Sequence, residues 1–282
     1  MRALREAAVA VALVIVAAAP LASPAADEPQ ASPWVDMPSS RVRLVAGGTK
    51  TAGGTYLAGI EIVMAEGWKT YWRTPGDAGV PPSFDWSGST NAAAINVLYP
   101  APMRIAEAGG QVIGYKHAVF FPVEVKPQDA SRPVVLKLAL EYGICRDICI
   151  PASTKLEATL PAPPKTAEDA AIKAALERVP RAAATRRKTD PSRQRAALVA
   201  GSGPRLEIDV AFPGGSKGAD LFIEAPEGLY VPLPKRLKDA APGVIRYGVE
   251  LPPDIAKDLS GKTLTLTMVS EAGSSEEPWR FE

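Results

Sequence analysis

Apolar and polar positions alternate along much of this chain, and the period is two. In "TYLAGIEIVMA" (55–65), Tyr56, Ala58, Ile60 and Ile62 point one way, the pattern of a half-buried strand. "RVRLVAGG" (41–48), "INVLYPAP" (95–102), "AVFFPVEVKP" (118–127) and "PVVLKLALEYGIC" (133–145) read as further strands, and "IPASTKLEATLP" completes the set near residue 161. In the 133–145 run, Leu136, Leu138, Leu140 and Tyr142 oppose Val135, Lys137, Ala139 and Glu141. One face is apolar and one mixed, as in a sandwich with a solvated side. "GWKTYWRTPGDAGVPPSFDW" (67–86) is dense in Gly, Pro and aromatics. It reads as an ordered loop that packs its own rings, with Trp68, Tyr71 and Trp72 in burial roles.

The pattern changes after residue 161. Ile172, Ala175, Leu176 and Val179 share one helical face, Thr166 is placed to cap the helix with Asp169 three residues on, and Pro180 stops it. The basic "RRK" and "DPSRQR" that follow read as a solvated hinge. From 200 to 282 a second set of short strands appears in "RLEIDVAF", "ADLFIEAP", "GVIRYGVEL" and "KTLTLTMVS". The predicted architecture is all-β: tandem immunoglobulin-like β-sandwiches joined by a short helical linker over 162–199. The second sandwich, 200–282, contains neither Cys nor His and reads as a structural or docking domain.

The N-terminus sets the compartment. Arg2 and Arg5 precede the apolar "AAVAVALVIVAAAPLA" and the small residues of "SPAAD". That is the layout of a secretory signal peptide over residues 1–26, with cleavage expected after Ala25. The apolar run is short for a membrane span, so the mature chain is expected to be soluble and exported, where disulfides persist. With 32 Lys and Arg against 31 Asp and Glu, the formal net charge is +1, which points to neither nucleic acid nor membrane adhesion. The 28 prolines and 23 glycines favour short strands and turns.

Only two cysteines occur, in "EYGICRDICIP" at 145 and 149. A structural zinc site wants four ligands, usually Cys and His. The chain offers two thiols, the single His117 and carboxylates such as Asp77 or Glu107, a poor set. Papain-like chemistry with His117 would place a second thiol beside the nucleophile in an oxidising compartment, and His117 reads as a surface residue instead. A disulfide fits better. Strands 133–145 and 149–160 can form a hairpin through Arg146, Asp147 and Ile148, which sets the cysteines opposite one another. Opposed Cα atoms lie ~4.5–5.5 Å apart, within reach of a disulfide. So small a ring adds only about 2 kcal/mol of stability, against ~4.7 for a hundred-residue loop. The pair is badly placed as a staple and well placed for exchange at a turn. Arg146 favours a thiolate and Asp147 opposes it by a similar amount, so neither charge selects the attacking cysteine.

"GWKTYWRTPGDAGVPPSFDW", "GYKHAVFFPVEV" and "LEYGICRDICIPA", in that order, resemble the periplasmic N-terminal domain of the thiol:disulfide interchange protein DsbD, in particular its ScsB-like, alphaproteobacterial branch. The likeness covers about residues 34–161. It implies an immunoglobulin-like fold with one catalytic pair, Cys145 and Cys149, and no cofactor or metal. It also implies electron relay from a separate membrane donor to periplasmic thioredoxin-like or disulfide-isomerase proteins, since the membrane and thioredoxin-like domains of full-length members are not found here. In the best-known members the cysteines lie farther apart. Those members also shield the disulfide with an aromatic cap loop. The matching segment here is "EAGGQVIGYKHAVFFPV", with Tyr115 either the candidate cap or an ordinary hairpin tyrosine. In "GWKTYWRTPGDAG", Asp77 is a candidate proton acceptor near the thiols, and turn chemistry in "PGDAG" explains it equally well. The rival expectation is an envelope adaptor whose disulfide is structural.

Overall fold

Alternation becomes sheet registration in the first half of the chain. The computed structural model describes residues 31–76, 78–107, 110–162, 166–199 and 203–282; the expected signal peptide lies outside them. One sheet has the order β1 (Val35–Met37), β2 (Ser40–Lys50), β3 (Tyr56–Met64), β9 (Ala118–Pro127), β6 (Ala92–Val97). The facing sheet runs β11 (Cys149–Leu160), β10 (Val134–Cys145), β4 (Lys69–Gly76), β8 (Gly110–Lys116), β7 (Met103–Glu107), with β5 (Ser83–Asp85) paired to β10. Even-numbered residues of β10 from Val134 to Ile144 are buried, while Lys137 and Glu141 face solvent, as the alternation predicts. The core between the sheets also holds Leu44, Ile60, Ile62, Phe121 and Trp72.

The segment read as a loop over 67–86 contains β4, which pairs with both β8 and β10. This corrects the sequence reading, and the reason is physical. Tyr71 and Trp72 are consecutive and both buried, so β4 is covered on two faces and shows no apolar–polar alternation.

Helix α1 (Thr166–Leu176) packs Ile172 and Ala175 inward. Its Asp169 accepts hydrogen bonds from Gly48 N–H (3.1 Å) and Thr49 Oγ1 (3.0 Å), fixing the helix to β2. The second sandwich has one sheet of β12 (Arg181–Ala182), β19 (Gly273–Arg280), β18 (Thr263–Ser270) and β15 (Asp220–Glu224). Its other sheet is β13 (Ser192–Val199), β14 (Arg205–Ala211), β17 (Val244–Glu250) and β16 (Lys235–Ala241), with the short helix α2 (Pro253–Leu259) between β17 and β18. The expected linker over 162–199 is thus largely structured, because its first half holds α1 and its second half pairs as β12 and β13. Its basic residues are also engaged: Arg186 bonds Glu277, and Arg187 bonds Asp190 and Glu177.

The two sandwiches share surface. Phe222 and Val269 of the second belong to the core of the first, and the Phe222 ring lies 5.8 Å from that of Trp72. Beside them Arg73 forks onto Glu224 (2.8 and 2.6 Å) and also bonds Glu276, and Arg104 holds Asp220. Replacing Phe222 with alanine should cost about 3–5 kcal/mol. Denaturant unfolding monitored at Trp72 should show the lower midpoint, and an unchanged midpoint would mean that Phe222 is not part of that core.

Candidate functional site

The register of one hairpin positions the site. β10 and β11 pair without interruption from Val134↔Leu160 to Cys145↔Cys149. The turn Arg146–Asp147–Ile148 continues the ladder, with Arg146 N–H donating to the Ile148 carbonyl at 3.1 Å. In an antiparallel pair, hydrogen-bonded and non-hydrogen-bonded positions alternate, and side chains lie closest at the latter. Cys145 and Cys149 therefore occupy a non-hydrogen-bonded position. Gly143 has the same parity two residues back, and its carbonyl turns away from β11 to accept from Thr70 Oγ1 (2.8 Å). The sulfurs are joined, with Cα atoms 4.1 Å apart, a little closer than the expected ~4.5–5.5 Å.

Both sulfurs lie on the outer face of their sheet, but their surroundings differ. Cys145 is 1% exposed and packs in a small cluster with Tyr71, Ile105 and Val112. Cys149 is exposed. Burial thus distinguishes the two cysteines where the charges of the turn do not. Arg146 and Asp147 pair with each other at 2.9 Å and both are exposed, so their opposing influences are spent largely on one another.

Tyr71 comes from β4 and its hydroxyl lies 3.4 Å from Cys149 Sγ. Burial raises the Tyr71 pKa above that of an ordinary phenol, and the Glu107 carboxylate raises it further. The group therefore stays protonated at physiological pH and can donate to a thiolate on Cys149. Behind the turn, Lys69 is buried and bridges Glu107 (2.9 Å) and the Arg146 carbonyl (3.3 Å). Over the other side lies the segment from Gly79 to Pro81. Gly79 has φ of 113°, and a Cβ there would run into the Tyr71 ring. At Gly143 a Cβ would sit 3.2 Å from the Val80 Cβ. The first approach requires glycine, and the second leaves little room for a side chain at 143. Between this segment and β11 runs a trough of about 470 Å³ that opens beside Cys149.

The expected site residues fare unequally. Cys145, Cys149, Arg146 and Asp147 are gathered at the turn. Tyr115 is corrected: its ring is in the main core at 5.5 Å from Phe121, and its hydroxyl donates to the Pro100 carbonyl (2.8 Å). It does not sit as a cap, because its place on β8 turns it toward the other sheet. Asp77 lies outside the described residues. His117 is exposed in the left-handed turn between β8 and β9 (φ 65°). Tyr71, Lys69 and the Gly79–Pro81 segment were not foreseen. The available signal was "TYW", where one ring of an adjacent aromatic pair must face away from the core if the segment is a strand. Among the described residues, no three His, Cys, Asp or Glu side chains cluster as a metal site, and no helix is long and apolar enough to cross a membrane.

Replacing Tyr71 with phenylalanine removes the donor and keeps the packing. Alkylation of the reduced protein at pH 7 should slow by roughly 2–10-fold, the weight of one hydrogen bond. An unchanged rate would show that the hydroxyl does not act on the thiolate.

No curated protein matches this chain. Among solved structures, the N-terminal periplasmic domain of ScsB from Proteus mirabilis superimposes with a TM-score of 0.70 at 23% identity, covering 89% of this chain and 97% of that one. That likeness extends over both sandwiches and establishes a shared fold. Residues 41–161, which include both cysteines, match the family model for the N-terminal domain of the thiol:disulfide interchange protein DsbD.

Proposed function

We propose that the protein is a periplasmic thiol:disulfide interchange module, exported by residues 1–26, that relays electrons through Cys145 and Cys149. Residues 34–161 are its redox domain and residues 200–282 its supporting domain. The observation that carries this reading is the unequal burial of two joined sulfurs on an outer sheet face. In the receiving half-reaction, a donor thiolate attacks Cys149 Sγ. The Cys145–Cys149 bond breaks, and its electron pair leaves on Cys145. The donor's second thiolate then attacks the mixed disulfide and releases Cys149, so the donor is oxidised and the pair reduced. In the delivering half-reaction, the Cys149 thiolate attacks a partner disulfide, and Cys145 displaces the partner, restoring the bond. The donor is a separate membrane protein, and the acceptors are periplasmic thioredoxin-like or disulfide-isomerase proteins. The match of residues 41–161 to an interchange family supports the reaction class.

Single-cysteine variants test the assignment. Cys145→Ser retains the exposed sulfur and should form a mixed disulfide with an oxidised thioredoxin-like protein. Cys149→Ser retains only the buried one and should do so at least about tenfold more slowly, a difference of roughly 1.4 kcal/mol in barrier. The wild-type potential should lie within about −180 to −270 mV, the range of exchange proteins. A potential below about −300 mV would mark a structural bridge instead. Equal rates for the two variants would overturn the role of burial.

A further inference from the structure

The trough beside Cys149 has a definite shape and chemistry. Its floor is at Gly143, one wall is Val80 and Pro81, the other is Pro151 of β11, and Glu141 stands at its far end. Val80 is 59% exposed, so an apolar rim is held open toward solvent next to the reactive sulfur. Glu141 pairs in register with Ser153, four residues along β11 from Cys149, or about 13 Å at ~3.3 Å per residue.

β11 is the edge of its sheet, and an edge can recruit a further strand. Here the parity of the ladder turns the backbone of Cys149, Pro151 and Ser153 outward, and Pro151 has no N–H to offer. A continuous added strand would lose a bond at that point. Recognition therefore falls to the trough on the sheet face rather than to the edge. An occupant must be extended to span it, apolar to cover Val80 and Pro81, and positively charged where it meets Glu141.

We propose that the trough from Cys149 to Glu141 is a docking groove for an extended, apolar, thiol-bearing protein segment with a cationic residue at its far end. This rests on the exchange reading above and deepens it. The segment's thiolate forms a bond with Cys149 Sγ as the Cys145–Cys149 bond breaks, and the electron pair leaves on Cys145, which takes up a proton. Apolar contact and one charge pair hold the segment while this occurs.

Short peptides provide the test with the full chain. The probes are Cys-Val-Val-Val-Lys and its reverse-order counterpart, each with serine replacing valine or glutamate replacing lysine, and 2-mercaptoethanol as a small thiol. Rates are compared per thiolate. One of the two valine–lysine peptides should open the disulfide at least about tenfold faster than its serine version, as burial of several methyl groups requires. The Val80→Asp variant should lose that preference, read as the ratio of the valine-peptide rate to the serine-peptide rate. Glu141→Gln should narrow the gap between the lysine and glutamate peptides. Equal rates for valine and serine peptides would overturn the groove, as would a preference that survives Val80→Asp. Inertness of the wild-type disulfide to 2-mercaptoethanol would instead overturn the exchange reading.

Discussion

The parity of the β10–β11 ladder is the constraint on which the site depends. Side chains alternate faces along a strand, and hydrogen-bonded positions alternate with open ones. Twelve uninterrupted pairs carry the register from Val134↔Leu160 in the core to Cys145↔Cys149 at the turn. A slip of one residue would drive Lys137 and Glu141 inward and expose the leucines. Packing inside the sandwich thus holds the sulfurs outside it, opposite one another. The cysteines need no special local geometry beyond a three-residue turn, because the apolar face has already fixed where they fall.

β4 joins this hairpin to the rest of the molecule. Three successive residues serve three surroundings: Tyr71 reaches Cys149, Trp72 fills the core against Phe222, and Arg73 binds Glu224 and Glu276. The second sandwich therefore buttresses the strand that stands behind the disulfide. Arg73 also lies over the Trp72 ring at 4.5 Å, so charge and packing in this interface constrain the same stretch of backbone. Close-packed interiors transmit such constraint well, which gives a domain without Cys or His a physical route to affect the site.

What was legible in the sequence follows from the same geometry. β10 and β11 have one core face and one open face, so their alternation announced both the strands and the hairpin that joins the cysteines. β4 could not be read that way, because it is covered on both sides and its glycine and proline neighbours suggest a loop. β13 was hidden by charge: Arg193 bonds Glu277 and Arg195 reaches Glu207, so a basic run that looked solvated is neutralised by carboxylates distant in sequence. Tyr115 and Tyr71 were exchanged in role. Composition marks each as an aromatic near glycine, and only pairing across the sheet decides which ring turns outward. The unequal exposure of the two cysteines was likewise beyond reach, since it depends on Ile105 and Val112 from β7 and β8 closing over one of them.

Placement of the disulfide outside the main core has a consequence for its chemistry. A bond between β10 and β11 at their turn closes a ring that the ladder already defines, so opening it forfeits only about 2 kcal/mol of chain entropy. The leucines of β10, the aromatic cluster of Phe84, Tyr99 and Phe121, and the interface at Phe222 all lie on the other face of the sheet or beyond it. None of these contacts requires the sulfurs to be joined. The oxidised and reduced forms can therefore share one fold and present the same surface around Cys149. A bridge between distant strands would behave otherwise: its loss would loosen the core, and the surface offered to a partner would change with each electron pair passed on.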